Sequence, residues 1–203
     1  MTFVLGLTGS IGMGKSTTAA MFRRLGAPVY DADAAVHALY AGAAAPLVEA
    51  AFPGTTAGGV VDRQKLSAAV LGHAERLKQL EAIVHPLVRR EEEAFLRSAQ
   101  RTGTSVAVLD IPLLLETGGE RRCDAVLVVT TSAEVQRQRV LARPGMTEER
   151  FAAIRQKQMP DEVKREKAHF LVDTARGYAS AETQVRGILA CLAGRPGRVL
   201  KAS

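Results

Sequence analysis

The stretch Leu7 to Phe22, LTGSIGMGKSTTAAMF, limits what this 203-residue chain can fold into more than any other part of it. Gly9, Gly14, Lys15 and Ser16 stand at the spacing G-x-x-x-x-G-K-S, directly after the apolar run Phe3 to Thr8 and directly before a helical pattern. Glycines let a backbone fold around an anion so that the amides from Gly12 to Thr17 point inward, and the start of the following helix adds partial positive charge. Phosphate is the natural occupant of such a loop, with Ser10, Gly12, Met13, Gly14 and Thr17 lining it beside Lys15. In that setting Lys15 reaches the β- and γ-phosphates of a nucleoside triphosphate, while the Ser16 hydroxyl ligates a mostly hydrated Mg²⁺. An ordinary glycine turn ahead of a helix is the bland alternative. The agreement of strand, loop, Lys-Ser pair and helix weighs against it.

The rest of the chain repeats the strand-then-helix alternation. Apolar runs at Phe3 to Thr8, Pro28 to Tyr30, Ser105 to Asp110, Ala125 to Thr130 and His169 to Asp173 predict five buried strands. Helical spacing predicts helices over Lys15 to Leu25, Ala34 to Tyr40, Arg63 to Leu71, Ala74 to Gln100, Ala133 to Ala142, Thr147 to Gln158 and Ala181 to Leu192. Strands separated by helices imply an α/β fold with a parallel five-stranded sheet covered on both faces. Pro86 should kink or restart the long helix. Residues 194–203, GRPGRVLKAS, read as a frayed tail.

Composition narrows the function classes. No apolar run approaches the roughly 18 residues needed to cross a bilayer, and the first residues lack the basic region and cleavage site of a secretory signal. A cytoplasmic location is the expectation. Cys123 and Cys191 match no metal-ligand spacing and are expected to be buried free thiols. The formal charge of +6 suits nucleic acid or a polyanionic small molecule, but only 4% of residues are aromatic and no basic stripe interleaves with them. No nucleic-acid partner is therefore expected. Asparagine is absent, which rules out guanine recognition by N-K-x-D.

Other residues bear on the acceptor of the phosphoryl group. The second strand runs into YDAD, and in an extended segment Asp31 and Asp33 would present both carboxylates to one side, at the end of a parallel sheet where ligands collect. One could take the proton of an acceptor hydroxyl and the other orient metal-bound water. Capping of the next helix is the competing reading. Asp110, closing VAVLD, either joins the Mg²⁺ shell or starts a turn before Ile111 and Pro112. Gln136, Arg139 and Arg143 share a helical face that Pro144 and Gly145 interrupt; guanidinium forks on a closing lid and a solvated charged face both fit them. His85, mid-helix before Pro86, has no zinc-type partners and on spacing alone is more simply structural.

Taken together, GLTGSIGMGKST, DAD, VDRQKL, LEAIVHPLV, VLDIPLLLETG and VQRQRVLARPGMTEERFAAIRQKQ resemble the dephospho-coenzyme A kinase family nearly end to end. The resemblance implies one P-loop kinase domain: a core of roughly residues 1–33, 103–132 and 168–194, a helical acceptor region over 34–102 and a small lid over 133–167. It implies ATP as donor, Mg²⁺, and dephospho-CoA as acceptor at its ribose 3′-hydroxyl. By the same resemblance Asp33 is the base, Lys15 and Arg143 serve the transferring phosphate, and Ser16, Asp31 and Asp110 serve the metal. His85, Pro86, Leu113, Glu116 and Arg139 line the acceptor pocket together with Asp33. The chain departs from the pattern at VDTARG, where Asp173 and Thr174 stand in place of an asparagine that the family often carries near the nucleotide base. A related kinase for a nucleoside monophosphate or small alcohol is the alternative, and a nucleotide-dependent nucleic-acid binder a more distant one.

Overall fold

A computed structural model describes residues 2–200. Its contacts divide the chain into two compact units, Met1–Tyr30 with Ser98–Ser203, and Asp31–Arg97.

The first unit is built on a five-stranded sheet. Strands β1 (Phe3–Thr8), β2 (Val29–Asp31), β5 (Val106–Asp110), β6 (Ala125–Thr130) and β7 (Phe170–Asp173) lie in the order β2-β5-β1-β6-β7. β1 pairs in parallel with both β5 and β6, and β6 with β7. Chain order thus reverses at β1, so a crevice opens beyond its carboxyl end, where Gly9 begins the glycine loop. Helices α1 (Lys15–Arg24), α6 (Ala133–Leu141), α7 (Glu148–Gln156), α8 (Asp161–Glu166) and α9 (Tyr178–Leu192) flank the sheet.

The strands are apolar on successive residues because both faces are covered. Leu5, Leu7, Val108, Leu127, Val129 and Val172 pack with Met21 and Phe22 of α1 and Val185, Ile188 and Leu192 of α9. Val126 and Val128, on the opposite side of β6, pack with Leu114, Leu115 and Met159. Gly6 is required by this second layer: a Cβ there would lie 2.7 Å from both Cys123 Sγ and Leu114 Cδ2.

The second unit holds helices α2 (Ala32–Tyr40), α3 (Ala45–Ala51), α4 (Arg63–Val70) and most of α5 (Ala74–Arg101), with an antiparallel ribbon of β3 (Thr56–Ala57) and β4 (Val60–Val61). Its own core gathers Leu39, Val48, Phe52, Val61, Leu66, Leu80 and Val84. Glu49 holds the ribbon's entry by accepting from the Gly54 and Thr56 amides and the Thr56 hydroxyl. Those bonds, that from Gly54 first, draw its carboxyl below the usual range.

Several expectations change. Pro86 lies inside one uninterrupted helix and restarts nothing; Leu80 and Val84, in the turns before it, are buried in the second unit's core. The short elements α3, α8, β3 and β4 were not predicted, since each is too brief to show a period. The tail is not frayed over its described residues: the amides of Arg198 and Val199 donate to Asp124 Oδ1 at 2.6 and 3.0 Å, while Asp124 Oδ2 accepts from Val4 N–H at 2.7 Å. Residues 201–203 of that tail lie outside the described part. The expected burial of both cysteines does not hold: Cys123 is half-buried, with its Sγ 3.9 Å from the Gly119 carbonyl, and Cys191 is exposed.

Candidate active site

The glycine loop has the form the sequence implies, and its glycines are needed for distinct reasons. Gly12 and Gly14 adopt φ of +79° and +96°, which L side chains rarely adopt. A Cβ on Gly9 would fall 2.8 Å from the carbonyl oxygen of Val129, so close approach to β6 excludes it. Gly14 is the residue ahead of α1, whose first turn carries no acidic side chain. The positive end of the helix dipole is therefore uncompensated beside the loop.

Lys15 and Asp110 meet. Lys15 Nζ lies 2.7 Å from Asp110 Oδ1, and Asp110 is only 3% exposed. Register explains the encounter, since Asp110 stands opposite Leu7 on the neighbouring strand, just before the loop. Thr8 Oγ1 donates to the Pro112 carbonyl at 2.9 Å and ties the two strand ends together. Ser16 and Thr17 are exposed at the start of α1. An ammonium, a carboxylate, a hydroxyl and a glycine loop ahead of a helix are thus assembled at one strand end, a set suited to a polyphosphate and a hard cation.

On the β7 side, Thr174 is the hub. Its hydroxyl donates to the Met13 carbonyl at 2.8 Å and accepts from Arg139 Nη1 at 2.7 Å, while its own carbonyl accepts from Arg139 Nη2 at 2.9 Å. A cleft of about 340 Å³ opens here, lined by Gly12, Thr17, Arg139, Arg143, Thr174 and Tyr178 among others. Arg139, which the resemblance groups with the acceptor residues, thus has its guanidinium held by Thr174 at the edge of this cleft. Arg143 shares the cleft and is exposed, two residues beyond the end of α6.

Glu116, expected from the resemblance to line the acceptor pocket, is held by two partners. Its Oε1 accepts from Met159 N–H at 2.9 Å and lies 2.8 Å from Nζ of Lys164, a lysine with no exposure at all. Burial alone would raise the Glu116 carboxyl, but the Lys164 ammonium and the Met159 amide outweigh it and leave it below the usual range. Glu116 therefore anchors α8 to the turn after β5. Leu113, in the same turn, is exposed.

Asp31 and Asp33 do not lie in one extended segment. Asp31 ends β2 and caps α2, accepting from Ala34 N–H at 3.0 Å, and Asp33 is already in the first helical turn and exposed. The capping reading holds for Asp31, and the helix turns the two carboxylates apart instead of to one side. His85 and Pro86 are exposed on α5 in the second unit.

Two glutamines complete the loop. Gln136, 4% exposed on α6, donates through Nε2 to the Ile11 carbonyl at 2.8 Å, and Gln158 Oε1 accepts from Ile11 N–H at 3.1 Å. Both border a second cleft, about 540 Å³, with Ser10, Met13, Arg155 and Arg165. Gln158, Thr174 and Lys164 were given no such roles from sequence. A polar residue inside a helical or strand-end pattern is the one signal they left.

With this geometry in view, the chain was compared with known proteins. Residues 3–179 match the family model described as Dephospho-CoA kinase. The chain belongs to the dephospho-CoA kinase family. A dephospho-CoA kinase of Mesorhizobium japonicum is 64% identical over 194 residues, covering 96% of this chain and 98% of that protein. The crystal structure of TT1252 from Thermus thermophilus superposes with a TM-score of 0.82 at 37% identity, over 95% of this chain and 99% of the other. Dephospho-CoA kinase from Campylobacter jejuni, at 24% identity, TM-score 0.64 and coverage of 94% and 97%, shares the fold. Membership of the family gives the chain the phosphorylation of dephospho-CoA in coenzyme A biosynthesis.

Proposed function

We propose that the chain moves the γ-phosphoryl group of ATP to the ribose 3′-hydroxyl of dephospho-CoA, giving CoA and ADP. The observation that carries this reading is the glycine loop with Lys15 and Asp110 at its base, in a chain of this family. The loop amides and the start of α1 hold the phosphates, and Lys15 exchanges its Asp110 partner for phosphate oxygens as charge spreads over the moving group.

The donor set fits a hard divalent cation: the exposed Ser16 hydroxyl and the Asp110 carboxylate offer oxygen alone, and the family resemblance adds Asp31. Mg²⁺ bound there would neutralise phosphate charge. Asp33, exposed in the first turn of α2, is the group the resemblance assigns to aim the acceptor hydroxyl and take its proton. Arg143, on the exposed turn between α6 and α7, would bring its guanidinium fork to the triphosphate as that turn closes over it, the resemblance giving residues 133–167 as the lid. The resemblance assigns Leu113, His85 and Pro86 to the acceptor. Among the described residues no single helix is long and apolar enough to span a membrane, in keeping with a cytoplasmic enzyme.

The test is a panel of acceptors with ATP and Mg²⁺, read by mass spectrometry. CoA should form from dephospho-CoA, with AMP, CMP and small alcohols far slower. Faster transfer to a nucleoside monophosphate would overturn the assignment.

A further inference from the structure

A loop that binds phosphate through backbone amides works only if each peptide plane is turned the right way, and glycine-rich backbone does not turn itself. Of the loop's own hydrogen bonds, Met13 N–H to the Ser10 carbonyl is long, at 3.2 Å. Support comes from outside the loop. Ile11, midway between Gly9 and Gly14, has its carbonyl held by Gln136 at 2.8 Å and its N–H held by Gln158 at 3.1 Å. These side chains come from residues 125 and 147 positions away in sequence, so the arrangement is tertiary and not a local turn.

The consequence follows from peptide geometry. In a trans peptide the carbonyl and the N–H point in opposite directions. Fixing the Ile11 carbonyl towards α6 therefore aims the Gly12 N–H away from α6. Fixing the Ile11 N–H on Gln158 likewise turns the Ser10 carbonyl away from Gln158, where it receives Met13 N–H. The contact with α6 is tight enough to hold: a Cβ on Gly12 would lie 2.5 Å from Val140 Cγ2 and 3.1 Å from the Gln136 carbonyl. Both clasping groups are neutral. A carboxylate would accept from Ile11 N–H more strongly but would add negative charge beside a site built for an anion.

We propose that Gln136 and Gln158 are positioning residues for phosphoryl transfer, a two-sided clasp on Ile11 that aims the Gly12 amide at the transferring phosphate. The proposal rests on the reading of the glycine loop as the phosphate site. Gly12 is the first of the inward amides and the one furthest from α1, so its orientation matters to the outermost phosphate more than to those seated on the helix. The clasp is worth more in transfer than in binding the diphosphate product.

The experiment compares Gln136→Met, Gln158→Met and the double variant with the parent enzyme, which is first shown to make CoA. Methionine keeps length and removes the hydrogen bond. Three quantities are read: kcat at saturating ATP and dephospho-CoA, the Kd for ADP, and the hydrogen-exchange rate of the Ile11 amide. The expected result is a loss of kcat of about tenfold in each single variant, the effect of one misaimed donor of modest strength. The Kd for ADP should change less than threefold, and Ile11 amide exchange should quicken in Gln158→Met. Because both bonds fix adjoining planes of one residue, the double variant should lose far less than the product of the two single losses. The proposal is overturned if kcat stays within twofold of the parent. It is equally overturned if kcat and ADP affinity fall in parallel, or if the losses multiply, since either outcome would make the glutamines independent scaffold.

Discussion

Lys164 offers the sharpest test of how the segment carrying α8 is held. Its ammonium has no solvent exposure and lies 2.8 Å from Glu116 Oε1, while Glu116 retains 16% exposure of its side chain. Lys164→Met keeps the buried stem but leaves the carboxylate facing a dry interior with the Met159 amide as its remaining partner. Removing one member of a buried ion pair costs roughly 3–5 kcal/mol, and the partial exposure of Glu116 argues for about 3. For a chain of this length each kcal/mol moves Tm by about 2–4 °C, so a fall of about 6–12 °C is expected by calorimetry. Adding Glu116→Gln should restore much of it, because a neutral amide still accepts from Met159 N–H and no longer needs the cation. The pH dependence has a definite sign. The Glu116 carboxyl is depressed in the folded state, first against the cost of burial and then by Lys164, so its contribution is present above its unfolded value and is lost as pH falls through the folded one. In Lys164→Met that acid-side loss of stability should flatten. An unchanged Tm in the single variant, or a double variant less stable than it, would refute the account.

Other perturbations address the chemistry. Lys15→Ala should lower kcat by about 10²–10³ at steady state by removing the cation nearest the phosphates; near-parental turnover would remove Lys15 from the mechanism. Asp33→Asn keeps shape but cannot accept a proton, and kcat should fall roughly 10²- to 10⁴-fold with ATP affinity little changed by isothermal titration. Arg143→Lys keeps charge and loses the bidentate fork, so stopped-flow or steady-state rates should show reduced kcat with an unaltered far-ultraviolet spectrum. Thr174→Val removes a hydroxyl that serves both the Met13 carbonyl and Arg139 Nη1, leaving Arg139 only its bond to the Thr174 carbonyl, at a cost of about 1–3 kcal/mol. The thermal midpoint and the Kd for ATP should both register it.

The parallel sheet and the phosphate loop were legible because both are written in local pattern. The run Phe3 to Thr8 matches its strand, and Gly9, Gly14, Lys15 and Ser16 fall where the spacing puts them, since glycine and strand-helix order are properties of adjacent residues. Asp110 was legible as a strand-end carboxylate, but its partner was not: the bond to Lys15 depends on β5 lying beside β1, a long-range choice that no window of sequence contains. The same reason hid Thr174, Lys164 and Gln158, whose partners are Met13, Glu116 and Ile11. The Asp31 and Asp33 misreading has a more local cause. Period-2 alternation fails there because Asp31 already ends the strand, and a side chain that caps a helix looks identical in sequence to one that ends a strand. The residues that read correctly shape the chain's own backbone, and those that did not reach across it to hold a distant one. A phosphate site needs both kinds. Glycines give the loop its freedom, and side chains from α6, the end of α7 and the end of β7 take that freedom away in the direction the chemistry requires.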